Sequence, residues 1–317
     1  HLGLNSDQVS LFWKGRVGFY GLLKVLDLKP GDEVIITGFT CVVVSNAIIY
    51  CGGVPVYAEV DPQTYNADVD QIERLISPRT KVIVAQNTFG LSANLDPIKS
   101  LAEKHGIYLL EDCTHGFGGS YKGKPNGTVA DAAFFSTQWN KPFSTGIGGI
   151  VVCKNEAIAQ KMLAWEQSLP APGSLKSASL AVQLFLRKHV MNPCLYWSLL
   201  KFYRFLTHQG LLSGSSSGME LEGTEMPDNY LMKMGSVQKR AGVKGLKKWP
   251  KNLAHRKRIS KIYSDCLIKL GCQPVFEPDY ADHTIIKYPI LVKDREAFFA
   301  KAIKAQIPLG DWMLSPI

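Results

Sequence analysis

The chain is 317 residues long, 46% hydrophobic and 20% charged, with a mean hydropathy of -0.01, which excludes a disordered, collagenous or small disulfide-rich protein. At roughly 100 to 200 residues per domain this length corresponds to about two domains, large enough to bury their cores without metal or disulfide staples. The formal charge of +9 is unevenly spread: residues 1–230 carry net −1, residues 231–304 net +11 and residues 305–317 net −1.

In chain order, residues 20–155 alternate between helical and strand periods, the pattern of an α/β domain with a parallel sheet. "GFYGLLKVLDL" spaces its apolar residues as a helix does and stops at the Pro-Gly turn of "KPGDE". "EVIITG" reads as a short buried strand, "CVVVSNAIIYCG" as an apolar helix closed by Gly52, and "VPVYAEV" as a strand ending in the turn "DPQTYN". "DVDQIERLI" is a helix with an acidic first turn, as the helix dipole favours. "KVIVAQNTFG" and "IYLLEDCTHG" are strands on either side of the helix "LDPIKSLAEKHG", which has Pro97 near its start and Gly106 after its end. "DAAFFST" and "GGIVVC" add two strands around "QWNKPFSTG".

The later chain is expected to differ. Residues 176–212 are rich in leucine, aromatic and basic residues and hold no acid, and "SGSSSG" separates them from the basic segment. Residues 236–270 read as a long helix or helix pair broken near Pro250. "HTIIKYPILV" then reads as a strand, "DREAFFAKAIKAQ" as a helix and "IPLG" as the start of another extended piece, a pattern that suggests a smaller C-terminal α/β domain. The expected division is a large domain over 1–169, an atypical hydrophobic and basic insertion over 170–228, and a basic helix with a small domain over 229–317.

Seven cysteines stand singly with no CxxC pair, so reduced thiols and no metal site are expected. The opening residues carry no signal-peptide pattern and no stretch reaches the roughly eighteen apolar residues that span a bilayer, which points to a cytoplasmic protein. Basic residues Arg187, Lys188, Lys201 and Arg204 lie among aromatic and leucine residues, and eleven more basic residues lie between Lys233 and Lys261 with no acid among them. Such segments fit peripheral contact of 176–212 and 233–261 with an anionic membrane on its inner face. A solvated helix face is the plainer reading of most of these lysines, and no nucleic-acid motif accompanies the charge, so no nucleic-acid partner is expected.

The chemistry concentrates in residues 111–149. An acidic pair closes the strand of "YLLEDCTHGFGG", and about thirty residues later Lys141 follows "FFSTQWN" and precedes "STGIGG". Enzymes of α/β architecture place their sites at the carboxyl ends of parallel strands. An aspartate there can hold a protonated ring nitrogen, and a lysine among apolar neighbours can lose its proton easily enough to attack an aldehyde. Taken singly, such an aspartate is commonly a turn former and such a lysine a solvated charge. Together with hydroxyls and backbone N–H groups for a phosphate, they form the set that pyridoxal phosphate needs.

The run "EDCTHGFGGSYKGKPNGTVADAAFFSTQWNKPFSTGIGG" resembles the core signature of the DegT/DnrJ/EryC1/StrS aminotransferases, and "LKPGDEVIITGFT", "GGVPVYAEVDPQTYNAD" and "GSVQKRAGVKGLKKWPKNLAHRKRISKIYSDCL" extend the likeness. The resemblance implies the pyridoxal-phosphate-dependent transferase fold of type I, with a large, mostly parallel sheet domain and a smaller C-terminal α/β domain. It implies a homodimer with its active site at the subunit interface, an amino-acid donor such as L-glutamate, and a keto-sugar acceptor, nucleotide-linked, for amino-sugar biosynthesis. By position, Lys141 matches the lysine that bonds the cofactor as a Schiff base, Asp112 the partner of the pyridine nitrogen, Ser136 a phosphate-binding serine, and His115 a residue beside the phenolic oxygen. Gly15 and Arg16 match backbone amides that hold the phosphate at a helix N-terminus, Thr40 a supporting threonine, and Asn229 is the nearby candidate for an asparagine that reaches the partner subunit's phosphate, a position that Leu231 occupies here.

Two departures accompany the match. Cys41 stands where the family carries a ring-stacking aromatic, so that Phe39 or Phe89 takes the ring face or the cofactor is held differently, and the family continues some tens of residues beyond "GDWMLSPI". Alternatives of another kind are a non-catalytic cofactor-binding regulator or scaffold, and a membrane-associated aminotransferase acting on a lipid-linked precursor.

Overall fold

The computed structural model describes residues 2–189 and 223–310. Its centre is a seven-stranded sheet ordered β1-β9-β8-β5-β4-β2-β3. The strands are β1 (Val9–Phe12), β2 (Glu33–Thr37), β3 (Val54–Ala58), β4 (Thr80–Gln86), β5 (Tyr108–Asp112), β8 (Ala132–Ser136) and β9 (Gly149–Cys153). From β8 across to β3 all neighbours pair in parallel, while β9 runs antiparallel to both β8 and β1. All five residues of β2 are buried, as expected of a strand covered on both faces.

Helices cover both faces. On one side α1 (Gly15–Val25), α2 (Val42–Tyr50) and α5 (Glu156–Ser168) supply Phe19, Leu22, Leu23, Ala47, Ile48 and Met162 to a core built on Val34, Val82, Leu110 and Phe134. On the other, α3 (Val69–Leu75) and α4 (Leu95–His105) pack Ile72, Ile98 and Ala102 on Ile35, Ile83 and Leu109. Asp68 caps α3 through the Gln71 amide at 3.1 Å, and α4 ends in Gly106 at φ 65°. A second, three-stranded sheet joins β6 (Ser120–Tyr121) to β7 (Lys124–Pro125) and to β10 (Ala281–Asp282).

The expected strands and helices of residues 20–155 form. Strand β1, too short to show a period, is added at the sheet edge by pairing Val9 through Phe12 with Val152 through Gly149. Three later readings need comment. The segment 236–270 is one helix, α7 (Ser236–Lys269), which runs through Pro250 instead of breaking. Packing on both sides of the proline accompanies this: before it Gln238 is fully buried and Trp249 packs edge-on against Phe117 with ring centroids 5.0 Å apart, and after it Leu253 packs against the same cluster.

The strand expected over 283–292 does not form. Its start is an extended strap whose Thr284 and Ile286 amides donate to the loop carbonyls of Gly90 and Phe89 at 3.1 and 2.9 Å, and Pro289 has no N–H for a ladder. The hydrophobic, basic segment begins as α6 (Ser174–His189), while residues 190–222, including Cys194 and the glycine-serine run, lie outside the described residues. Helix α8 (Arg295–Lys304) forms where "DREAFFAKAIKAQ" suggested it.

Candidate active site

Most of the residues singled out in the sequence meet at the carboxyl ends of β8, β5, β4 and β2. Asp112 ends β5 and Ser136 ends β8. Because β8 pairs directly with β5, these two ends are neighbours. Gly15 opens α1 against β8: a Cβ there would lie 3.1 Å from Phe135 O and 3.2 Å from the Cα and Cβ of Ser136. A Cβ there would be crowded, so glycine eases the close approach of the N-terminus of α1, and the first N–H groups of a helix have no intrahelical acceptors, so this cradle suits an anion. Arg16 is the second residue of α1, and its carbonyl accepts from Tyr230 Oη at 3.1 Å.

Asp112 is 3% exposed and accepts from the Thr114 amide at 2.8 Å. Burial raises its carboxyl above the usual range, while the Thr114 contacts and the charge of Lys141 pull it back. Lys141 lies in the turn after β8, its amine deep enough that lost hydration brings its pKa from 10.5 down to about 8. Asp112 and Cys41 oppose that shift and Arg16 reinforces it, which places all three within electrostatic reach of the amine. His115 is 3% exposed. Burial, then the charges of Lys141 and Lys287, hold its pKa far below the ordinary value, so the ring is neutral.

Thr40 is buried and donates to Gln86 Oε1 at 2.6 Å, tying the end of β2 to the end of β4. Cys41 is exposed at the N-cap of α2. Phe39 and Phe89 meet edge to face, with centroids 5.7 Å apart, and Tyr65 contacts both. Asn229 stands apart: it is exposed in the turn before Tyr230.

Sequence reasoning missed the supports that come from afar. The turn carrying Lys141 is closed by Thr137 and Thr145, whose hydroxyls meet at 2.6 Å. Arg256 from α7 reaches Lys141 O at 3.5 Å, and Arg187 from α6 donates to Trp139 O at 2.6 Å while stacking on the Trp139 ring. Lys287, on the strap, belongs to the same electrostatic group. No local pattern marks Arg187, Arg256 or Lys287, because only the fold brings these distant residues to the Lys141 turn.

The residues present fit pyridoxal phosphate. The glycine-floored cradle suits the phosphate, Asp112 suits a protonated ring nitrogen, and a lysine of pKa about 8 suits the aldehyde. Fold and site together define the class, an α/β protein with the pyridoxal-phosphate-dependent transferase fold. The chain belongs to the DegT/DnrJ/EryC1/StrS aminotransferase family, whose model matches residues 15–185, more than half of it.

Among curated relatives, it is 36% identical over 148 residues to GDP-perosamine synthase of Caulobacter vibrioides, a match covering 47% of this chain and 40% of that protein. It is 41% identical over 138 residues to UDP-2-acetamido-2-deoxy-3-oxo-D-glucuronate aminotransferase of Pseudomonas aeruginosa, covering 42% and 38%. The chain thus spans about two fifths of the length of these relatives. Among solved structures, the aminotransferase TlmJ from Streptoalloteichus hindustanus superposes with a TM-score of 0.73 at 21% identity, covering 96% of this chain and 72% of that one. That likeness is one of fold. Among the described residues no helix is long and apolar enough to cross a membrane.

Proposed function

We propose that this protein is a pyridoxal-phosphate-dependent aminotransferase that moves an amino group from an amino acid, L-glutamate in the first instance, to a keto-sugar carried on a nucleotide. The observation that carries this is the grouping of Lys141, Asp112, His115 and the Gly15–Ser136 cradle at adjoining strand ends. The relatives' names support the acceptor class, since one is a GDP-perosamine synthase and another a UDP-sugar aminotransferase.

When bound, pyridoxal phosphate supplies an aldehyde and an electron-withdrawing ring. The amides of Gly15 and Arg16 and the hydroxyl of Ser136 would hold its phosphate, and Asp112 would keep a proton on its ring nitrogen. Neutral His115 would lie beside its phenolic oxygen. Lys141 has the role of acid and base: with a pKa near 8 its Nζ can take a proton from a substrate carbon and return it near neutral pH. Thr137, Thr145 and Arg256 hold the turn that aims this amine.

A direct test is colour. The purified chain with cofactor should turn yellow and bleach on addition of glutamate, and Lys141→Ala should stay colourless. Colour that ignores every amino donor would instead favour a regulator or scaffold. In the aminotransfer reading the enzyme is a homodimer, with Asn229 serving the partner subunit's site; a monomer by sedimentation would contradict that assembly.

A specific observation favours membrane contact as a second reading. Leu175, Val182, Phe185 and Leu186 of α6 are exposed and fall on one helical face, and Arg240, Lys244, Lys247, Lys251 and Arg258 form an exposed row on α7. At 1.5 Å per residue that row is about 27 Å long. An apolar stripe beside a basic row is what an anionic bilayer surface attracts.

A further inference from the structure

Lys287 is unused by the cofactor chemistry above, yet the fold brings it within electrostatic reach of Lys141 and His115. Three hydrogen bonds fix the strap that carries it: Ser92 N donates to His283 Nδ1 at 3.0 Å, Thr284 N to Gly90 O at 3.1 Å and Ile286 N to Phe89 O at 2.9 Å. Asn87, just after β4, donates its amide to Asp112 O at 3.0 Å, so the loop holding the strap adjoins the end of β5. The strap therefore lies over the β4 side of Asp112, and the Gly15–Ser136 cradle lies over β8 on the other side. At about 4.8 Å between strands, the two are roughly 10 Å apart.

The loop that holds the strap, and the β3–α3 loop packed on it, are also unusual. Tyr65 and Phe89 both hold left-handed backbone, at φ 58° and 56°, and their rings pack edge to face with centroids 5.6 Å apart. Bulky residues in that region cost energy and persist where surrounding contacts enforce them, commonly at sites of binding. With Phe39 they form an aromatic cluster, and the Ile286–Phe89 hydrogen bond fixes the strap beside it one residue before half-buried Lys287. Burial and then the like charge of Lys141 lower the Lys287 amine from 10.5 to about 8. An anion placed between the two lysines would relieve their repulsion.

We propose that Lys287, with Phe39, Tyr65 and Phe89, forms a substrate subsite on the β4 side of the Lys141 cleft that takes an anionic group against the cation and the apolar remainder of the substrate against the rings. The proposal rests on the aminotransfer reading. Two sources share the chemistry, the carboxylate of the amino donor and the diphosphate of the acceptor.

Calorimetric titration of the cofactor-loaded full chain with glutarate and with pyrophosphate separates them. Wild type should bind at least one probe. Lys287→Gln should weaken that binding about tenfold or more, as loss of a charge-assisted hydrogen bond does, and Lys287→Arg should restore most of it. Weakening confined to glutarate assigns the subsite to the donor, and weakening confined to pyrophosphate assigns it to the acceptor. Cofactor uptake, read by colour on the same proteins, should be unchanged in both variants. Normal uptake with unaltered affinity for both probes in Lys287→Gln, or no probe binding by wild type, overturns the subsite alone. A wild-type chain that takes up no cofactor overturns both readings.

Discussion

At the scale of single residues, the site depends on Lys141 being a weaker base than an ordinary lysine. Its amine titrates at about 8 instead of 10.5 because burial penalises the charged form more than Asp112 and Cys41 favour it. In the aminotransfer reading the unprotonated amine is the nucleophile, and below pH 8 its fraction falls about tenfold per unit. The rate of cofactor uptake, followed by colour in stopped flow, should therefore rise with pH to about 8 and then level; a rise continuing past 10 would show an ordinary lysine. Asp112→Asn removes the negative charge and keeps the shape. Colour should still form, while turnover with glutamate falls about 100-fold or more, the scale on which positioned acid and base groups act.

Asp112 and Lys141 could be singled out in the sequence by residue type near predicted strand ends, whereas His115, Ser136, Gly15, Arg16 and Thr40 were named only by resemblance to a family's contiguous motifs. Lys287, Arg256 and Arg187 were not legible, since only chain crossings of more than 45 residues bring them to the site.

At the scale of elements, α7 and the strap depart most from what periodicity suggested. Proline inside a helix loses one backbone hydrogen bond and crowds the preceding turn, yet α7 stays continuous because Trp249 and Gln238 are anchored in the core. Pro250 itself is exposed. Pro250→Ala should thus raise the unfolding free energy by about 1 to 3 kcal/mol without changing activity, measured by denaturant titration; a loss of stability would mean that the proline bend is needed for packing.

The strap depends on Gly90, which sits at φ 97° and whose Cβ would collide with the carbonyl of Thr284. Gly90→Ala should cost about 2 to 4 kcal/mol, from backbone strain and overpacking together, and should free the 284–287 segment to exchange amide hydrogen faster. Unchanged exchange there would show that the strap is held elsewhere. The strand reading of 283–292 failed because apolar alternation signals a half-buried extended chain and says nothing about whether a sheet edge is there to receive it.

For the whole molecule, the charge of +9 resolves into a near-neutral sheet region and a basic row along α7. If that row meets a membrane, the chain should co-sediment with vesicles rich in anionic lipid at low salt and leave them at high salt. Changing Arg240, Lys244, Lys247 and Lys251 to Glu should abolish the binding, since each basic residue contributes up to about 1 kcal/mol near such a surface. Wild-type protein remaining in the supernatant at low salt would overturn the membrane reading.

The sequence by itself determined the strands and helices of the sheet region, which follow from the periodicity of neighbouring residues, and the family, which follows from the resemblance of contiguous motifs. Tertiary structure alone decided that β1 joins the edge, that α7 survives its proline and that Lys287 comes within electrostatic reach of Lys141. It also decided that His115 is neutral and Lys141 weakly basic, because desolvation and charge proximity depend on what the rest of the chain places around a group.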